Sequence, residues 1–557
     1  MSVTDAPRVA AEDLASIDIP AYHRRSKHRL DGYAQGPETL DWDQQPSPFR
    51  RFEGAGQIQL PLSPPADTAH SFAQLQDYSL AELWQGCWPE PLSPGLASLA
   101  VWLRHALALS AWKVYGGARW SLRCNPSSGN LHPTEAYVVV AGFEDCANGV
   151  YHYRADCHGL ELRCAFPAEA SLQPGLYLGL SSIHWREAWK YGERAYRYSQ
   201  LDIGHALAAL ACAAAPLGWK LEYLPLADSA LESLLGLDRP RDFFPGEEEW
   251  GECLLRVATG APASDAGQAL DSLLAAAAAG QWQGCAEVLD RKHFYHWPLV
   301  DRVAEQVRRP ASAEYANSAG DEHLPPALAV DYREKLYRLV LERRSAQGYD
   351  GVTGIGQAQF FSLLDHLLPR ASVAPWMPLP GPASLHCVFF VHRVEGLEPG
   401  LYTLPRSEAG EVLLRRELRA TFDWERVASA PAHLPFYRLV SARAERTAAK
   451  LCCQQQIAGA SAFSLGMLAE FSSQLEGAPW RYRELFWEAG AIGQALYLEA
   501  EGIGLQGTGI GCFFDDAVHD LLGIGNDSLQ SLYHFTVGGA LRDPRIATLP
   551  AYGKRRQ

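Results

Sequence analysis

The feature that most constrains this chain is an internal duplication. Gly149-Val150-Tyr151, after a β-like run, returns as Gly400-Leu401-Tyr402, and Asp202-Ile203-Gly204, inside an Ala/Leu-rich helical stretch, returns as Glu488-Ala489-Gly490. Arg24-Arg25-Ser26 is echoed by Arg343-Arg344-Ser345. A chain that repeats itself at this scale predicts two like-folded halves packed on each other. The halves have diverged in complementary ways. A polar loop, Pro126-Ser127-Ser128-Gly129-Asn130, stands only in the first, and a glycine-rich segment, Gly507-Thr508-Gly509-Ile510-Gly511, only in the second. Two half-equipped copies predict one composite site.

Residues 1–265 read as the first α+β unit. An extended, Pro-punctuated arm runs to Pro65, and helices are expected at Leu80 to Trp84, Leu96 to Val114 and Leu201 to Pro216. Strands are expected at Ala136 to Val140, Val150 to Tyr153 and Leu254 to Ala258. Residues 266–326 read as a bridge, with an Ala-rich helix at Leu270 to Ala279 and a polar stretch at Ala311 to Glu322. Residues 327–557 repeat the plan. Helices are expected at Val330 to Arg343, Cys452 to Phe471 and Glu488 to Glu501, and strands at Val388 to Val391, Leu401 to Leu404 and Tyr533 to Val537. The expected fold is α+β, two fused sandwich domains forming an intramolecular pseudo-dimer.

A net charge of −15 with no basic stripe argues against nucleic-acid binding, while a local arginine pocket can still take a small anion. The first twenty residues lack an apolar signal core, and no uninterrupted apolar run reaches about 18 residues, so the expectation is a cytoplasmic protein without a membrane span. The 12 cysteines show no CxxC pair and the 18 histidines are diffuse, so neither a disulfide framework nor a metal site is expected.

Adjacent Arg343 and Arg344 offer two guanidinium forks, and Ser345 a hydroxyl, suited to an oxyanion such as phosphate. Arg542 or Arg545, after the last strand, adds positive charge where the first copy has only Gly260-Ala261-Pro262-Ala263. Glycines at alternate positions from Gly507 to Gly511 let backbone pass close to a flat ligand, whereas the first copy has Leu221, Tyr223 and Pro225 there. The spacing and context do not match a GxGxxG dinucleotide fingerprint. Ser127, Ser128, Gly129 and Asn130 either form a plain turn or grip a heterocycle by hydrogen bonds; the second copy has Met377-Pro378-Leu379-Pro380-Gly381 instead.

The run Arg123 to Pro133, with Ala136-Tyr137-Val138, Gly149 to Tyr153 and Lys190-Tyr191-Gly192-Glu193-Arg194-Ala195-Tyr196, resembles the SagB-type dehydrogenase branch of the FMN-dependent nitroreductases. The second copy is similar to the same superfamily through Arg343-Arg344-Ser345 and Gly493-Gln494-Ala495-Leu496-Tyr497. The resemblance implies FMN at the junction of the halves, one per chain. Arg343, Arg344, Ser345, Gly507 to Gly511 and Arg542 or Arg545 would form its floor, and Pro126 to Asn130 its lid. It also implies that Lys190 and Tyr191 assist oxidation of azoline rings in a peptide or related natural product. Reduction of nitro or quinone compounds with NAD(P)H, or a flavin-binding scaffold role in a biosynthetic complex, are the other expectations.

Overall fold

The computed structural model describes residues 17–63, 75–259, 266–313 and 324–553, except 331 and 333. The start of the expected arm and most of the Ala311 to Glu322 stretch lie outside the described residues. In the first half the elements that position the site are α1 (Ile19–Arg25), α2 (Leu80–Trp84), α3 (Leu96–Ala106), β1 (Leu109–Tyr115), β2 (Ala118–Arg123), β3 (Thr134–Ala141), β4 (Gly149–Arg154), β5 (Gly159–Ala165), β6 (Gly175–Ser182), α4 (His184–Tyr191), α5 (Ala195–Ala214), β7 (Lys220–Leu224) and β8 (Trp250–Ala258). In the second half they are α6 (Leu336–Glu342), α7 (Gln357–His366), β9 (Leu385–Val391), β10 (Gly400–Leu404), β11 (Tyr437–Ser441), β12 (Phe463–Glu470), α8 (Arg481–Gly502), β13 (Gln506–Ile510), β14 (Leu529–Gly538) and β15 (Ala547–Pro550).

The duplication is written in the sheet orders. The first sheet runs β5-β4-β3-β6-β8-β7 and the second β11-β10-β9-β12-β14-β13, each with a short extra strand beyond its first member. Every pairing is antiparallel. Strands β3 and β9 are buried along their whole length, as befits β-branched and aromatic runs covered on both faces.

The halves meet through α5 and α8. Every residue of α5 is buried, and the helical run 184–217, although apolar and long enough to cross a membrane, is wholly enclosed by the rest of the fold. At the crossing, a Cβ on Gly204 would strike the backbone of Trp487, and one on Gly490 the backbone of Leu201 and Gly204. The repeated glycines are therefore the points where the two helices touch backbone to backbone. Near the same junction Ser79 and Lys335, the residues just before α2 and α6, form an antiparallel bridge, with Leu336 N–H donating to Tyr78 O at 3.0 Å.

The echoed arginine pairs both stand at a helix end but meet different partners: Arg25, closing α1, pairs with Glu193 at 2.5 Å and Arg24 with Asp527 at 3.4 Å, while Arg343-Arg344 follow α6.

Other differences have a common cause. The expected helix Cys452 to Phe471 is one short helix, Gln456–Ala460, followed by strand β12, and the helix expected from Leu96 ends at Ala106, before β1. Strand β6 was not foreseen. Fully buried strands carry no period-two polar signal, so Leu176 to Leu180 and Leu465 to Ala469 read like buried helix by composition. The bridge is no loose linker: after the helix Ala266–Ala279, Gln281–Trp282 pairs with β5 and extends the first sheet.

Candidate active site

A cleft of about 700 Å³ and an adjoining chamber of about 290 Å³ share Pro126, Ser127 and Ser345 in their walls. Both draw on the two halves. The cleft is lined by Lys113, Arg123 and Asn130 from the first half and by Arg343, Arg344 and Arg542 from the second. The chamber sets Ser128, Gly129, Tyr191, Asp202 and His205 against Tyr497, Thr508 to Cys512 and Tyr533. The predicted floor and lid thus face one another.

The cleft is suited to an anion. Arg343 follows the end of α6 and is 4 % exposed. Its Nε and Nη2 donate to the carbonyls of Cys124 and Arg123, both at 3.3 Å, and its guanidinium lies 4.7 Å from the Tyr497 ring centre. Its Nη1 is buried without a partner, a costly arrangement that a bound acceptor relieves. Burial and the neighbouring Arg343 hold the Arg344 pKa below its ordinary value. Lys113 is likewise pushed down, by partial burial and then by Arg344 and Arg542. Mutually repelling cations around a cleft define where negative charge is stabilised. Ser345 Oγ meets Tyr497 Oη at 2.8 Å. Arg545 is absent from the cleft lining; it is exposed and paired with Asp543 at 2.7 Å, so of the two expected arginines the structure brings Arg542 to the site.

The lid loop uses its polar groups differently from expectation. Ser127 Oγ accepts from His132 N–H at 2.8 Å, Ser128 donates to Asp202 from N–H at 3.0 Å and from Oγ at 3.1 Å, and Asn130 Nδ2 donates to Ser121 O at 2.7 Å. These side chains shape the loop. Gly129 and Asn130 both sit in the left-handed region, at φ 57° and 60°, and a Cβ on Gly129 would collide with Tyr191 Oη and crowd Lys190 Nζ. The loop is therefore closed down onto the Lys190-Tyr191 pair.

The glycine strand also departs from expectation. Side chains at Gly507, Gly509 and Gly511 would run into Phe535, Tyr533 and Tyr198. The missing Cβ atoms admit these aromatic rings, of which Tyr533 and Tyr198 help wall the chamber. Thr508 Oγ1 donates to Ala346 O at 2.6 Å, tying the strand to the segment after Arg344 and Ser345.

Lys190 and Tyr191 end α4, where Gly192 (φ 55°) breaks the helix. Burial lowers the Lys190 pKa and raises that of Tyr191. One turn earlier Glu187 is 0 % exposed, both carboxyl oxygens lack a hydrogen-bond partner, and burial raises its pKa well above the usual carboxylate range. Asp202 is pushed up to about 7 by burial, although Ser127 and Ser128 favour its charged form. His205 Nε2 meets Tyr533 Oη at 3.1 Å, and burial drives its pKa down to about 3. Glu187, Asp202, His205, Tyr198, Tyr497 and Tyr533 were not foreseen as site residues. Each sits in an ordinary helical or strand pattern and becomes conspicuous only when its burial is known.

The reciprocal location is a cleft of about 330 Å³. Leu221, Tyr223 and Pro225 there face Met377, Pro380 and Gly381, the pairing expected from the duplication. Arg406 is engaged with Glu488 and with the carbonyls of Leu367 and Leu385.

Residues 402–539, from within β10 to β14, match the Nitroreductase family. No curated protein matches the chain. Among solved structures, a protein assigned as a nitroreductase from Anabaena variabilis ATCC 29413 is similar at 23% identity over 94% of this chain and 99% of that one, with a TM-score of 0.65. Its fold thus spans both halves. A structure assigned as a nitroreductase in complex with FMN, from Exiguobacterium sibiricum 255-15, is 15% identical over 41% of this chain and 94% of that one, TM-score 0.23. The E. coli microcin synthetase McbBCD complex with truncated pro-MccB17 is 16% identical over 42% and 77%, TM-score 0.27.

Proposed function

We propose that the chain is an FMN-dependent oxidoreductase with one flavin site, the cleft and chamber shared by its halves, and that it dehydrogenates azoline rings in a peptide or related natural product. The observation that carries the reading is that an unsatisfied buried arginine, a cationic rim and the partly buried Tyr191, with Lys190 beside it under loop 126–130, gather around one cleft and its adjoining chamber, beside a strand inside the nitroreductase-family match. The donor set fits the group. Arg343, Arg344, Lys113 and Arg542 would hold the phosphate end, and Ser345, Thr508 and the Pro126–Asn130 loop would border the ring system.

Bound FMN supplies a two-electron hydride acceptor. The chain supplies the proton chemistry. Burial favours neutral Lys190, the form with a lone pair able to take a proton from carbon. Tyr191, kept protonated by burial, can relay a proton through its hydroxyl at the chamber wall. Glu187, one turn away on the same helix and favoured in its neutral form, leaves the charge balance of the pair unaltered until a proton moves. Loop 126–130 covers part of this region, with Gly129 against Tyr191 Oη and Lys190 Nζ.

Purified protein reconstituted with FMN should show a flavin spectrum, and an azoline-containing peptide should bleach it anaerobically. Failure to retain flavin would overturn the reading as a whole. Bleaching by NADPH but not by the azoline would move the assignment to a nitro- or quinone-type reductase, and flavin retention without reduction by either would favour a scaffold role.

A further inference from the structure

At the chamber wall stands Cys512, with Cys453 beside it, a pair that the proposed chemistry does not use. After β13 the chain continues as Gly511-Cys512-Phe513-Phe514, running against the segment Leu451 to Gln455. Phe514 N–H donates to Leu451 O at 2.8 Å, and Gln455 Nε2 donates to Cys512 O at 3.1 Å. These two bonds lay the turn that carries Cys453 alongside Cys512. The two thiols share a hydrogen bond, and the His28 side chain bonds to Cys512. Cys452 takes no part: its Sγ turns inward to His534 Nδ1 at 3.6 Å. Cys453 (φ 51°) and Gln454 (φ 61°) hold left-handed backbone that non-glycine residues seldom adopt. Both Cys453 and Cys512 are only partly buried.

We propose that Cys453 and Cys512 form a redox-active dithiol, closed to an intramolecular disulfide by low-molecular-weight disulfides, and that the bridge ties together two segments that wall the chamber. Cys512 is the attacking sulfur. The hydrogen bond from Cys453, with His28 and Arg194 near, lowers its pKa and favours the thiolate that attacks. Cys512 thiolate attacks one sulfur of the small disulfide, forming a mixed disulfide and expelling one thiolate. Cys453 then attacks the Cys512 sulfur, expelling the second thiolate, which takes up the proton Cys453 gives up. Two protein thiols are oxidised by two electrons, and one small disulfide is reduced to two thiols. The site stands apart from the flavin reading, since the exchange needs no flavin.

The full-length protein, incubated with oxidised glutathione, is examined by intact-mass spectrometry and peptide mapping. The expected result is a chain lighter by two hydrogens, with one cross-link joining the peptides of Cys453 and Cys512, reversed by dithiothreitol. Cys453→Ser should stop at a single glutathione on Cys512, and Cys512→Ser should leave Cys453 unmodified. A cross-link through Cys452, a wild-type chain that keeps both thiols free, or one carrying stable glutathione on each would overturn the proposal.

Discussion

Lys190 illustrates how little of a site a single residue reveals before its surroundings are known. In sequence it is one lysine beside a tyrosine. In the structure it is crowded by Gly129, has the Trp42 ring 5.4 Å from its Nζ, and lies one turn beyond a buried carboxyl. Replacing Lys190 with Ala is expected to leave bound flavin unchanged and to slow substrate-driven flavin reduction about 10²–10⁴-fold, with Tyr191→Phe costing less. Because burial lowers the Lys190 pKa, wild-type turnover should rise with pH through a value below 10.5. Arg343→Ala removes a charge-assisted contact worth about 1.5–3 kcal/mol and should weaken FMN binding tenfold or more in a titration, whereas Arg25→Ala, whose partner is Glu193, should not. Asp202 carries a stability signature. Its folded pKa of about 7 lies above the ordinary 3.8, so its proton stabilises the fold fully below 3.8 and that contribution is lost as pH rises through 7. Thermal melts of the wild type should therefore decline across this window relative to Asp202→Asn.

At the scale of elements, the crossing of α5 and α8 holds the halves in register, and its two glycines leave no room for a methyl group. Gly490→Ala should lower stability by about 1–3 kcal/mol or more, read as a drop in unfolding midpoint, because the clash is with backbone that cannot rotate away. These glycines were legible in the sequence because they recur inside matching helices. Strands β6 and β12 were not legible as strands, since burial on both faces erases the alternation that marks a strand, and only pairing partners tell them from helix. Tyr198, inside the wholly buried α5, and Tyr533, inside an expected strand, gave no local sign that they wall a chamber. Glycines marked Gly507 to Gly511 as special, but nothing local said that rings rather than open space would fill the gaps.

For the whole molecule, the unequal decay of the two sites predicts stoichiometry. Reconstituted protein should carry about one FMN per chain, measured by flavin absorbance against protein concentration, because the reciprocal cleft carries the side chains of Leu221 and Tyr223 where the other strand has Gly507 and Gly509, and its Arg406 is already engaged by Glu488. Two tightly held flavins would contradict this. The composite character of the site was legible because the two losses are complementary. The different partners of the two arginine pairs were not, since Glu193 and Asp527 meet Arg25 and Arg24 only through the fold. Strand β15 pairs with β1, Ala547 opposite Val114 and Pro550 opposite Ala111, and its neighbour Arg542 lines the cleft. During synthesis the first half leaves the ribosome long before residues 547–550 exist, so the outer edge of β1 must wait unpaired through more than four hundred further codons. On the proposed flavin reading, the phosphate end of the cleft is therefore completed late in synthesis, after both halves have emerged and β15 has paired.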